Sequence, residues 1–175
     1  SGGEPTLDPR LEDYVRAARR NGAGTIEVQS NATRIDEARA KALVEAGVDL
    51  FFISLHGSRA EISDDVTRAP GTFVQTLRGL DALHGTTASL RINFVFCQRN
   101  QDDFEAFVRL CIERYPRAEL CVSFVATSTD MVPRTKALIP RYTEVQESLE
   151  RGLRIAMANG THVSGFDAMC GLPFC

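Results

Sequence analysis

The chain has 175 residues, 43% of them apolar and 25% charged, with a formal net charge of -3. That composition fits an ordinary globular protein with one sizeable core. It offers no basic footprint for nucleic acid, and no apolar run nears the roughly 18 residues of a membrane span.

The chain opens Ser1-Gly-Gly-Glu with no Met, which suggests a fragment or a processed chain. Asp8 before Pro9 reads as an N-cap with Pro at the first helical position, and Leu11, Tyr14, Val15 and Ala18 follow at helical spacing. Thr25 to Gln29 reads as a short strand. A helix runs from about Asp36 to Ala46, where Gly47 stops it. Asp49 to Ser54 is a nearly continuous apolar run, as expected of a strand covered on both faces. His56 to Gly71 reads as a long polar loop in which Glu61, Asp64 and Asp65 are solvated. Thr72-Phe-Val-Gln75 reads as a capping box opening the next helix.

Leu90 to Phe96 is the next strand. Phe104, Phe107, Val108, Cys111, Ile112 and Tyr115 then share one helical face. Glu119 to Ala126 is the last strand, with Cys111 and Cys121 read as buried, inert thiols. Thr143-Glu-Val-Gln146 reads as a second capping box, whose helix ends at Asn159-Gly160. Residues 161–175 break the periodicity. Four apolar strands joined by helical crossovers imply a parallel α/β sheet with right-handed connections. Five cysteines, odd in number and widely spaced, do not form a disulfide scaffold and point to a reducing cytoplasmic setting.

Parallel α/β folds bind ligands beyond the carboxyl ends of their strands. The residues there are Ser30 and Asn31, then Ser54, His56 and Gly57, then Cys97, Gln98, Arg99 and Asn100, then Thr127, Ser128 and Thr129. Polar groups with few charges suit a zwitterionic or polar ligand better than a polyphosphate. Gly2 and Gly3 permit close backbone approach, and the Glu4 carboxylate suits an ammonium group. A plain strand-to-helix turn with an exposed Glu is the alternative.

Four segments resemble motifs of the radical S-adenosylmethionine (radical SAM) enzymes. Ser1-Gly-Gly-Glu-Pro-Thr-Leu7 resembles their Gly-Gly-Glu motif at the end of the second barrel strand. Gln29-Ser-Asn-Ala-Thr33 is similar to the Thr-Asn-Gly turn after the third, and Ile53-Ser-Leu-His-Gly57 to the Ser-Leu-Asp-Gly or Ser-Leu-His-Gly end of the fourth. Thr67-Arg-Ala-Pro-Gly-Thr-Phe73 resembles the Arg-x-x-Gly-Ser-Phe opening of the following helix. Arg91-Ile-Asn93 and Asn100 match polar positions of the fifth strand and its exit.

The resemblance implies a partial (βα)6 barrel with parallel strands, truncated at its N-terminus, over residues 1–160. Residues 161–175 then begin a C-terminal extension. It implies that Gly2, Gly3 and Glu4 bind the amino group of SAM, and that Ser30, Asn31 and Ser54 approach its carboxylate or ribose. Arg68 would pair with the carboxylate unless it is a structural loop arginine. Asn93 and Asn100 would meet ribose or adenine, with a turn-forming role open for Asn100. Gly3, Ser30 and Ser54 are expected to face one shared pocket.

The family holds a 4Fe-4S cluster on a Cys-x3-Cys-x2-Cys loop, which this sequence lacks; the resemblance places it upstream of Ser1. The implied activity is reductive cleavage of SAM to a 5'-deoxyadenosyl radical by an oxidoreductase or maturase. This chain alone would be inactive. The reductant would be a flavodoxin or ferredoxin, and the substrate a small molecule or peptide. Met169-Cys170-Gly-Leu-Pro-Phe-Cys175 resembles the start of a SPASM or twitch extension, so Cys170 and Cys175 are candidate ligands of an auxiliary iron–sulfur cluster. Zinc, or two ordinary thiols, are the alternatives. His56 is a candidate acid or base near the ligand face or a loop residue, His84 is structural, and His162 is unassigned. A degenerate, non-catalytic barrel that binds SAM or another small molecule is the competing function. A metal-dependent barrel lacks a His/Asp/Glu cluster.

Overall fold

The computed structural model describes residues 3–125 and 138–165. A short 3-10 turn, Pro5–Leu7, precedes α1 (Leu11–Arg20), β1 (Glu27–Ser30), α2 (Glu37–Ala46) and β2 (Leu50–Ser54). Then come α3 (Ala60–Thr67), α4 (Thr72–His84), β3 (Ser89–Phe96), α5 (Phe104–Arg114), β4 (Glu119–Phe124), α6 (Tyr142–Ala158) and β5 (Val163–Gly165). The five strands form one parallel sheet in the order β1-β2-β3-β4-β5. When neighbours in the chain are neighbours in the sheet, right-handed crossovers put every connecting helix on the same face. This is the parallel α/β sheet that the strand pattern implied, in the partial-barrel arrangement that the resemblance implied.

The register sorts the side chains onto two unlike faces. Val28, Phe51, Ile53, Leu90, Ile92, Phe94, Phe96, Leu120 and Val122 are buried together with the apolar stripes of the helices. Gln29, Phe52, Ser54, Arg91, Asn93, Val95, Glu119, Cys121, Ser123 and Ser164 occupy the opposite, inner face. The helix-side core is strongly aromatic at its centre, where Phe94 meets Phe96, Phe104 and Phe107 at centroid separations of 4.9, 5.3 and 4.8 Å. Each such ring withdraws about 2–3 kcal/mol of apolar surface from water. At Gly152 of α6 a Cβ would run into the ring of Phe104, so this glycine sets the approach of α6 to α5.

Several local expectations are corrected. The expected loop 56–71 contains α3, whose Ile62 and Ser63 pack so closely on Gly57 that a Cβ there would meet the Ser63 nitrogen at 2.8 Å. Thr72 does not cap α4. Gly71 is the N-cap, and the Asp64 carboxylate of α3 accepts from Phe73 N (2.7 Å), Gly71 N (2.6 Å) and Thr72 Oγ1 (3.1 Å). Asp64 is therefore a cap and not a solvated loop residue, and Asp65 is paired with Arg99 at 2.7 Å. The second capping box shifts by two residues: α6 starts at Tyr142 after the N-cap Arg141, and Glu144 accepts the Arg141 N–H at 3.1 Å. Helix α1 begins at Leu11, two residues after Pro9, because Asp8 accepts the Arg10 N–H at 2.9 Å and closes a preceding turn. The sheet has a fifth strand at Val163–Gly165, paired with β4.

Candidate functional site

The site is assembled at the carboxyl ends of β1, β2 and β3. At β1, the Glu4 carboxylate is held by four donors. Oε1 accepts from Thr6 N (3.0 Å), Thr6 Oγ1 (2.6 Å) and Ser30 Oγ (2.7 Å), and Oε2 accepts from Asn31 N (2.8 Å). Burial raises the Glu4 pKa, but the hydrogen bonds from Asn31, Thr6 and Ser30 outweigh it and hold the group below its ordinary value. The turn that presents these donors is tight. Ala32 takes a left-handed φ of 58°, and its N–H donates to Ser30 Oγ at 2.9 Å. Asn31 Oδ1 accepts from Thr33 N at 3.0 Å. Gly79 of α4 lies against the Ala32 carbonyl with no room for a Cβ. Gly3 differs: a Cβ there would meet nothing within 4 Å, so packing within the chain does not require glycine and the backbone is open to a ligand. It borders a cleft of about 680 Å³ between α1 and the outer edge of β1.

At β2 and β3, Ser54 and Asn93 are register partners on the inner face, and Cys121 and Ser164 continue the same level across β4 and β5. Asn93 is buried, and its Oδ1 accepts from Ser123 Oγ at 3.0 Å. One level nearer the strand starts, Arg91 donates to Glu119 Oε2 from Nε (3.0 Å) and Nη2 (2.8 Å), closing that charge pair internally. Among the described residues the next level of the inner face carries Ser54, Asn93, Cys121 and Ser164, none of them charged, which suits a zwitterion.

Gly3, Ser30 and Ser54 do not face one shared pocket. Glu4, Ser30 and Asn31 form one cluster, and Ser54 and Asn93 another. Ser30 pairs with Ile53 in register and so lies on the helix face, opposite Ser54. Its hydroxyl orients Glu4, so it does not share an inner pocket with Ser54. Asn100 is fully engaged as a backbone clamp: Nδ2 donates to His56 O (3.0 Å) and Val95 O (2.9 Å), and Oδ1 accepts from Cys97 N (2.7 Å). With 1% of its surface exposed, it holds the turn after β3. Arg68 caps the C-terminus of α3 with φ 58°, and its side chain is 71% exposed. It reaches the β3 exit only through Asp65 and Arg99. Gly2, Thr127, Ser128, Thr129, Cys170 and Cys175 lie outside the described residues.

Sequence reasoning missed Asp103, Ser58 and the placement of Cys121. Asp103 is buried and accepts from Ser58 N (2.6 Å) and Ser58 Oγ (2.8 Å), pinning the loop after β2 to the start of α5. Cys121 is half-buried on the inner face; Cys111 is the buried core thiol, its pKa pushed up by burial. The signal for Cys121 was the alternation of Leu120, Val122 and Phe124 with Cys121 and Ser123. Among the described residues no three His, Cys, Asp or Glu side chains are grouped to hold a metal, so they do not fit a 4Fe-4S cluster. No helix among them is long and apolar enough to cross a membrane.

The fold is that of a parallel barrel-type α/β protein, with small polar groups near the exits of β2 and β3. Residues 1–111 match the radical SAM superfamily, and the chain belongs to it. It is 31% identical over 111 residues to an AdoMet-dependent heme synthase of Oleidesulfovibrio alaskensis, covering 63% of this chain and 28% of that protein. It is 30% identical over 172 residues to an Fe-coproporphyrin III synthase of Methanosarcina barkeri, covering 96% and 41%. Its fold matches Streptococcus suis SuiB bound to precursor peptide SuiA, with a TM-score of 0.74, 16% identity, and coverage of 94% of this chain and 36% of that one. The chain thus spans well under half the length of these relatives.

Proposed function

We propose that this chain is the SAM-binding part of a radical SAM oxidoreductase or maturase. Bound SAM, cleaved reductively at a 4Fe-4S cluster, supplies a 5'-deoxyadenosyl radical that abstracts hydrogen from a substrate. The observation that carries the reading is the Glu4 knot. Four donors from Thr6, Ser30 and Asn31 tie the backbone next to the open Gly3 to the exit of β1. Gly3 offers its backbone to an ammonium group, while Glu4 positions it and keeps a negative charge nearby. Ser54 and Asn93 offer hydroxyl and carboxamide groups to the carboxylate or ribose from the inner face. Arg91 and Glu119 on that face are paired with each other.

The described residues do not hold the cluster, so its ligands and the reductant, a flavodoxin or ferredoxin, belong to the proposal for the whole protein. The relatives' names divide the substrate question. Two are tetrapyrrole synthases and the structural neighbour holds a precursor peptide. A peptide or protein substrate fits the Cys170 and Cys175 extension, with those thiols as auxiliary-cluster ligands.

The test is anaerobic reconstitution of the full-length protein followed by chromatography for 5'-deoxyadenosine after reduction. Formation of 5'-deoxyadenosine, reduced about tenfold or more in Ser54→Ala and Asn93→Ala, is expected. Binding of SAM without cleavage would make this a non-catalytic SAM-binding barrel, and absence of binding would reject the reading.

A further inference from the structure

Strand pairing between β2 and β3 ends just where the site opens. The last backbone rung is the Leu55 N–H donating to Asn93 O at 3.0 Å. Val95 lies two residues farther along β3, so its backbone groups face β2 as those of Asn93 do. Both are met by side chains instead of by strand. The Val95 N–H donates to His56 Nδ1 at 3.3 Å, and Val95 O accepts from Asn100 Nδ2 at 2.9 Å. The same Asn100 nitrogen donates to His56 O at 3.0 Å. Beyond His56, the Ser58 N–H and hydroxyl are fixed by Asp103. The chain leaving β2 is thus held apart from β3 by an imidazole and a carboxamide.

We infer that His56 is a positioning residue for the SAM pocket: its imidazole replaces the next acceptor of β2 and fixes the β2–β3 separation that sets Ser54 beside Asn93. This rests on the SAM reading given above. Because Nδ1 accepts an N–H, the proton of the neutral ring resides on Nε2. Burial pushes the pKa of His56 down to about 4, so the ring stays uncharged at neutral pH. Nδ1 is therefore not available as a proton acceptor for substrate. The acceptor sits at the δ position of the side chain, which Asn reproduces with Oδ1, while Leu has the bulk without the acceptor.

The variants His56→Asn and His56→Leu separate this role from mere packing. SAM affinity is measured by calorimetry on the full-length, cluster-reconstituted protein, with thermal melts as the folding control. Asn is expected to bind within about threefold of wild type and Leu to lose about tenfold or more, the size of one buried hydrogen bond left unmade. Equal loss in both variants, or wild-type affinity in Leu, overturns the inference. Imidazole nitrogen NMR of the wild-type protein is the second readout and needs no variant to fold. An unprotonated, hydrogen-bonded Nδ1 with a protonated Nε2 is expected, and an Nδ1–H tautomer or an imidazolium at neutral pH overturns it. A wild-type protein that takes no SAM rejects the SAM reading itself, and the nitrogen spectra then decide the His56 geometry alone.

Discussion

Glu4 receives four hydrogen bonds from three residues, two of them 26 and 27 positions away in the chain. Such a carboxylate is a fixed part of the wall more than a mobile ligand. Its depressed pKa has a definite consequence: the knot is complete above the unfolded carboxyl pKa of about 4.3 and is lost as pH falls through the lower folded value. The Asn31 and Thr6 amide resonances should therefore stay flat as pH falls from neutral and titrate together only below the ordinary carboxyl range. In Glu4→Gln one acceptor becomes an NH2 facing donors, so this acid titration should vanish and SAM affinity should fall about tenfold. An unshifted titration in Glu4→Gln would assign it to another group. The Glu4–Asn31 contact was only half legible in sequence. Both residues were candidates, but nothing local says that the Ser30 hydroxyl turns to the helix face; that follows from its register with Ile53.

At the scale of elements, α3 and α4 act as a pair joined by Asp64. Its carboxylate takes the first free amides of α4 in place of a local hydroxyl. Burial raises its pKa, yet the bonds from Phe73, Gly71 and Thr72 prevail and lower it, so this cap too weakens only in acid. Asp64→Ala should cost about 1–2 kcal/mol by denaturant unfolding at neutral pH, and the deficit should shrink below about pH 4. A loss that is constant with pH would exclude the carboxylate as its cause. The strands β1 to β4 and most helices were legible because their apolar periodicity is local. The Thr-x-x-Gln pattern at 72–75 was read as self-capping because a competing carboxylate from a neighbouring helix leaves no mark within that window. Helix α3 was missed because only Ile62 and Val66 of its residues are large and apolar, and its packing depends on Gly57. Three residues, Val163–Gly165, are too few to show a period, so β5 had no signature.

For the whole molecule, the governing fact is that one face of the sheet is sealed by helices and the other is lined at its middle level by Ser54, Asn93, Cys121 and Ser164. Sequential strand order with a single handedness produces that asymmetry, and the level of Ser54, Asn93, Cys121 and Ser164 gives the unsealed face a row of small polar groups. The sequence carried this alternation in β4, where reading Cys121 as a buried thiol concealed it. The most direct measurement is the crystal structure of the full-length protein with SAM bound. The SAM ammonium should lie against the backbone at Gly3, and its carboxylate or ribose within hydrogen-bond reach of Ser54 and Asn93. SAM bound on the helix side of the sheet, or away from the exits of β1 to β3, would contradict the assignment.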